Sequence, residues 1–151
     1  MNTFRHQRGF TLIEILIVIG IIAILAAVVI VAINPARQFD QANDTARRSD
    51  LTELLSAISR ERIDKKGVLN PAITTTRTEI CKTGAASCTN LIDLTSLTVN
   101  AIYIDAMPID PECPDGCAAN GTGYFVVKNA NKTVTVDAFL HNALASISFT
   151  Q

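Results

Sequence analysis

Residues 10 to 33 read FTLIEILIVIGIIAILAAVVIVAI, a run of 24 in which Glu14 is the one charged side chain. A helix of that length, rising about 1.5 Å per residue, reaches about 36 Å and can cross the hydrocarbon core of a bilayer. The run is too long for an ordinary signal peptide, whose apolar core is roughly 7 to 15 residues. Upstream, residues 1 to 9 (MNTFRHQRG) are short, polar and positive through Arg5 and Arg8. A basic flank of this kind stays in the cytoplasm while the chain beyond the apolar run is exported. Glu14 disturbs an otherwise simple anchor, because a carboxylate in hydrocarbon costs several kcal/mol unless it finds a partner.

Asn34-Pro35 ends the run, since proline lacks a backbone donor and biases its predecessor away from helix. Asn34 as N-cap and Pro35 as first helical residue would restart a helix. Leu51, Leu54, Leu55 and Ile58 then fall at the spacing of one helical face, so residues 36 to 66 are predicted to be amphipathic. The charged residues Arg47, Arg48, Asp50, Glu53, Arg60, Glu61 and Arg62 are assigned to the opposite face, and Gly67, after Lys65 and Lys66, to the C-terminal stop.

Beyond Gly67 the chain turns to Thr, Asn, Pro and Gly with short β-branched runs. Residues 91 to 97 read as a short helix, 101 to 105 as either strand or turn, and 107 to 122, rich in proline and cysteine, as a loop. Residues 124 to 128 and 133 to 139 are the best strands, joined by a turn over 129 to 132. The expected fold is α+β: a long N-terminal helix, first transmembrane and then amphipathic, packed on a small antiparallel β-sheet head. Its expected divisions are a leader (1–9), an apolar helix (10–33), an amphipathic helix (34–66) and a β-rich head (67–151).

The 151 residues suit one domain of ordinary size. Only 18% are charged, below the roughly 25% usual in soluble domains, and 48% are hydrophobic, an excess concentrated in the apolar run. Thirteen Lys and Arg against fourteen Asp and Glu give a net charge of -1, so no global basic field draws the chain to nucleic acid. His141 is the only histidine outside the leader, and no Ser, His and acid constellation or glycine-rich phosphate loop stands in the sequence, so no enzyme is expected. Cys81, Cys88, Cys113 and Cys117 all follow the apolar run, which reads as disulfides in an exported domain. Pairing Cys81 with Cys88 and Cys113 with Cys117 closes two small loops and is preferred to the crossed alternatives. A four-cysteine zinc site is the competing reading, though the spacings miss the usual short knuckles.

The junction Arg8-Gly9-Phe10-Thr11-Leu12-Ile13-Glu14 before an unbroken apolar helix resembles the class III signal of type IV prepilins and type II secretion pseudopilins. The likeness extends over about the first 66 residues, and Met107-Pro108-Ile109-Asp110-Pro111 followed by Gly123-Tyr124-Phe125 is similar to the loop preceding the sheet in many such heads. The resemblance implies cleavage between Gly9 and Phe10 by a prepilin peptidase, N-methylation of Phe10, and a structural role as a helical homopolymer. It also implies residence in the cytoplasmic membrane, with lipid around the helix and the head outside the cytoplasm, before an inner-membrane machinery assembles an extracellular or envelope filament. Glu14 would then pair with the Phe10 amine of a neighbouring copy. Asp105, Asp110, Glu112 and Asp115 are a weak calcium candidate, as a similar loop binds calcium in some pseudopilins. They lack the regular spacing of a calcium loop, so a solvated acidic loop without cofactor is the default. The rival reading is a single-pass, uncleaved signal-anchored protein whose head binds a partner or ligand outside the membrane.

Overall fold

A computed structural model describes residues 9–113, 117–138 and 147–151 of the chain. Two compact units divide it, Met1–Phe39 and Asp40–Gln151. In the first, α1 (Leu12–Ile33) opens with Thr11 as N-cap and closes at Asn34, whose φ of 45° is left-handed. Asn34 therefore ends α1 as its C-cap and is not the extended N-cap expected for the next helix; asparagine tolerates this conformation better than most residues. Pro35 follows as the first residue of α2 (Pro35–Asp64).

Helix α2 stops two residues before the expected limit of Lys66. Gly67 N–H donates to the Arg62 carbonyl at 2.7 Å and Lys66 N–H to that of Ile63 at 3.0 Å. Those two bonds form a Schellman motif, with Lys66 at the left-handed position (φ 55°) and Gly67, also at positive φ, one place beyond it. The turn satisfies carbonyls that the helix end leaves open.

The head's sheet is an antiparallel meander in the order β1 (Thr78–Cys81), β2 (Gly121–Lys128), β3 (Val134–Ala138), β4 (Ser148–Thr150). The expected hairpin is β2–β3, in register from Tyr124 opposite Ala138 to Lys128 opposite Val134. Its turn closes with Asn129 N–H on the Thr133 carbonyl at 2.8 Å. Phe139, expected to end the second strand, lies outside the described residues, as does His141. Strand β2 begins at Gly121, inside the stretch expected to be loop, because Thr122 and Gly123 continue the pairing through a bulge between Glu79 and Cys81 of β1. Of the expected helix over 91 to 97, only α3 (Thr95–Thr98) overlaps; Ile92 instead bridges to Ile80 in parallel fashion. Residues 101 to 105 form no strand: a 3-10 turn (Val99–Ala101) leads into bends.

Leu51, Leu54, Leu55 and Ile58 of α2 meet Ile80, Tyr124, Val126, Val134 and Val136 of the sheet in one core, with Leu94, Leu97 and Ile147 closing it. The period-2 burial of β3, with Val134, Val136 and Ala138 inward, supplies the sheet's half of that contact. Each such aliphatic side chain removed from water contributes about 1.5–3 kcal/mol.

Candidate functional site

The start of α1 carries the residues singled out for processing and assembly. Phe10 is 80% exposed, and Gly9 has no neighbouring atom within 4 Å of where a Cβ would stand. Thr11 and Glu14 form a capping box: the Thr11 hydroxyl accepts from Glu14 N–H at 3.3 Å, and the Glu14 carboxylate accepts from Thr11 N–H at 3.3 Å. Two donors of the helix's first turn are thereby satisfied, and a negative charge sits at the positive end of the helix dipole. The T-x-x-E spacing announces this box, a role for Glu14 inside its own helix that the expected pairing with another copy's amine leaves out. From Leu12 to Val31 the helix has a mean hydropathy of 3.2, and the described residues bury none of it. Its length and composition suffice to cross a membrane.

In the head, the structure overturns the placing of Arg47 and Glu61 on a solvated face. Arg47 is 2% exposed and Glu61 1%. The guanidinium donates to both carboxylate oxygens of Asp110, itself 3% exposed, at 2.7 and 2.9 Å, and to Asp44 at 3.1 Å, with a Glu112 oxygen 3.0 Å away. The hydrogen bond to Asp110 outweighs desolvation and raises the affinity of the arginine for its proton. Desolvation pushes the Glu61 carboxyl upward, but hydrogen bonds from Lys65, Ser96 and Asn70 prevail and hold it below its ordinary value. Tyr124, fully buried, donates its hydroxyl to Asp50 at 2.6 Å; burial first, then that carboxylate, raises its pKa far above that of a free phenol.

Disulfides join Cys81 to Cys88 and Cys113 to Cys117, with Cα separations of 5.6 and 5.5 Å, so the local pairing is the one present. Both sulfurs of the second lie against Gly123, whose backbone N–H is held by the Glu79 carboxylate at 2.9 Å. Of the four acidic calcium candidates, Asp110 and Glu112 face Arg47, Asp105 is exposed, and Asp115 lies outside the described residues. Among the described residues no group of three His, Cys, Asp or Glu side chains is placed to hold a metal ion. A hollow of about 320 Å³ between the end of α2 and β3 is lined chiefly by Leu55, Ile58, Ile63 and Val134, with Arg62 as its one charged residue. Such a lining offers no acid and base pair for catalysis.

Residues 4–30 match the family model of the prokaryotic N-terminal methylation motif. The N-terminal segment is of the prepilin type. Over 60 residues the chain is 48% identical to the type IV wide pilus major component PilA4 of Thermus thermophilus, covering 40% of this chain and 44% of that one. Over 60 residues it is 38% identical to the type II secretion system core protein G of Pseudomonas aeruginosa, covering 40% of this chain and 41% of the relative. The chain thus spans less than half the length of these relatives. No solved structure matches it. The matched segment overlaps the capped, apolar α1 from Leu12 onward.

Proposed function

We propose that the chain is a structural subunit of a type IV pilus or a pseudopilus-like filament and does no catalysis of its own. A prepilin peptidase removes residues 1 to 9 and methylates the amine of Phe10. Before assembly, α1 anchors the protein in the cytoplasmic membrane with the head outside the cytoplasm. An inner-membrane machinery then transfers the helix from lipid into the core of a filament made of further copies. The observation that carries this reading is the overlap of the methylation motif at residues 4–30 with a 22-residue helix that is apolar but for Glu14 and is long enough to cross a membrane. Such a helix needs either lipid or other helices around it. Contacts between unlike surfaces of successive copies give an open-ended helical assembly, and burial of the apolar stripes, at about 25 cal/mol per Å², holds it without covalent links.

The test is the N-terminus of the protein recovered from membranes and from sheared surface material. Mass spectrometry is expected to find a chain beginning at N-methylated Phe10, and electron microscopy to find filaments that react with antibody to the head. A chain that retains Met1 in both fractions would overturn the reading in favour of an uncleaved anchor carrying an exported binding head.

A further inference from the structure

The acidic loop that follows Met107 has the composition of a cation site, and two of its carboxylates, those of Asp110 and Glu112, do converge. What they converge on is an arginine. Arg47 stands at the centre of Asp44, Asp110 and Glu112, at 3.1, 2.7 and 3.0 Å. Asn43 completes the group by donating to the other oxygen of Glu112 at 3.2 Å.

We propose that Arg47 is a built-in cation which takes the place of a metal ion at this loop, so that the loop is fastened to α2 without calcium. Three observations combine. The guanidinium meets Asp110 through two parallel hydrogen bonds, the planar fork arrangement that a carboxylate best accepts and that is costly to displace. Both members are almost wholly buried, so a divalent ion could reach Asp110 only by expelling a charge that has no water to return to. The bidentate oxygens are also committed within the loop: Asp110 Oδ1 accepts from Glu112 N–H at 2.9 Å, which shapes the turn leading into Cys113. A calcium ion needs six to eight oxygen ligands about it. Here the oxygens of Asp110 are already shared between a guanidinium and the loop's own backbone.

Arg47 is accordingly a positioning residue for the loop that carries the Cys113–Cys117 disulfide and packs on Gly123. An arginine is charged at every physiological pH and cannot be chelated away, so the loop is held in any ionic environment the exported head meets. The inference concerns the head alone and does not rest on the filament reading.

The experiment uses the full chain in detergent micelles. Equilibrium dialysis against calcium and thermal unfolding in millimolar calcium or excess chelator are expected to show no stoichiometric binding and the same midpoint in both buffers. Limited proteolysis at the loop should proceed at the same rate in both. Arg47→Met keeps most of the side-chain volume and removes the charge. The loop in that variant is expected to be cut at least about a hundredfold faster, as when one member of a buried pair is lost. Stoichiometric calcium in the parent, or a midpoint that falls on chelation, would overturn the proposal, as would an Arg47→Met loop as resistant as the parent's. Should Arg47→Met fail to fold, the parent's response to calcium and chelator decides the matter by itself.

Discussion

Arg47 and Asp110 are 63 positions apart and meet through two hydrogen bonds, at 2.7 and 2.9 Å, in the interior of the head. The pair ties the first turns of the packed part of α2 to the loop ahead of β2. Replacing Asp110 by Asn keeps its shape and removes its charge, leaving the buried guanidinium with only the more exposed Asp44 and Glu112. The expected loss is about 3 kcal/mol, read as a lower urea midpoint for unfolding of the head. An unchanged midpoint would mean that Asp44 and Glu112 suffice to compensate Arg47.

Gly123 and Gly84 separate backbone strain from crowding. Both have positive φ, 80° and 72°, but a Cβ on Gly123 would stand 2.7 Å from Cys117 Sγ and 2.8 Å from Asp110 Cβ, whereas Gly84 has open space. Gly84→Ala is expected to cost about 1 kcal/mol from its φ alone. Gly123→Ala adds displacement of the disulfide loop and is expected to cost about 1–3 kcal/mol more. Denaturant unfolding of the two variants side by side measures the difference, and equal losses would show that the loop yields freely.

Glu61 makes the head sensitive to acid in a stated direction. Its carboxyl is held below the ordinary 4.5 by hydrogen bonds from Lys65, Ser96 and Asn70 that outweigh desolvation. A carboxyl with a lowered folded pKa contributes stability in full above 4.5, and that contribution disappears as the pH falls through the folded value. Glu61→Gln should therefore be less stable than the parent at neutral pH, with the gap narrowing below 4.5. Unfolding curves of both proteins between neutral and strongly acidic pH check this; a gap constant across that range would mean that the ionised carboxylate contributes nothing.

Arg47 and Glu61 are where the structure departs from the sequence pattern, since both are buried. The core face of α2 was legible from Leu51, Leu54, Leu55 and Ile58, and the hairpin from its alternating valines. Arg47 lies four residues before Leu51 and Glu61 three after Ile58, so both continue the apolar face by helical spacing. Their charge argues for solvent, and partners make their burial possible: Asp110 chiefly for Arg47, and Lys65, Ser96 and Asn70 for Glu61. Lys65 stands one helical turn from Glu61, but Asp110 and Ser96 come from distant segments that no local pattern announces. Strands β1 and β4 were likewise illegible, being four and three residues long and fixed by pairing with β2 and β3. At the N-terminus the reverse holds. The motif from Gly9 to Glu14 is contiguous, so a linear reading reaches its residues, although the capping box between Thr11 and Glu14 emerges only with the helix.

Gly9 is expected to be required for maturation, because a side chain before the scissile bond would collide with a peptidase site shaped for glycine. Among the described residues a Cβ at this position meets nothing, so Gly9→Val is expected to leave α1 and the head intact and any defect to belong to processing. The variant should accumulate as precursor with its leader attached and yield no filaments. Normal amounts of chain beginning at Phe10 in that variant, seen by mass spectrometry, would refute the requirement.

Glu14 has two candidate roles, and glutamine distinguishes them. As observed, its carboxylate closes the capping box with Thr11, a contribution of about 0.5–2 kcal/mol to the helix start. As proposed for the filament, it pairs with the Phe10 amine of another copy in a dry core, where removing one member of the pair costs about 3–5 kcal/mol at each addition. Glutamine can complete the box as glutamate does, but it carries no charge to offset the amine. Both Glu14→Gln and Glu14→Ala are therefore expected to be cleaved after Gly9, and both to reduce sheared filament by about a hundredfold or more. The measurement is immunoblotting of sheared and membrane fractions, with the head's thermal midpoint as control. That midpoint should not move, because Glu14 belongs to the compact unit Met1–Phe39 and the head's core is built wholly from Asp40–Gln151. Wild-type filament from Glu14→Gln together with its loss in Glu14→Ala would assign the residue to capping and remove the intersubunit pair from the assembly scheme.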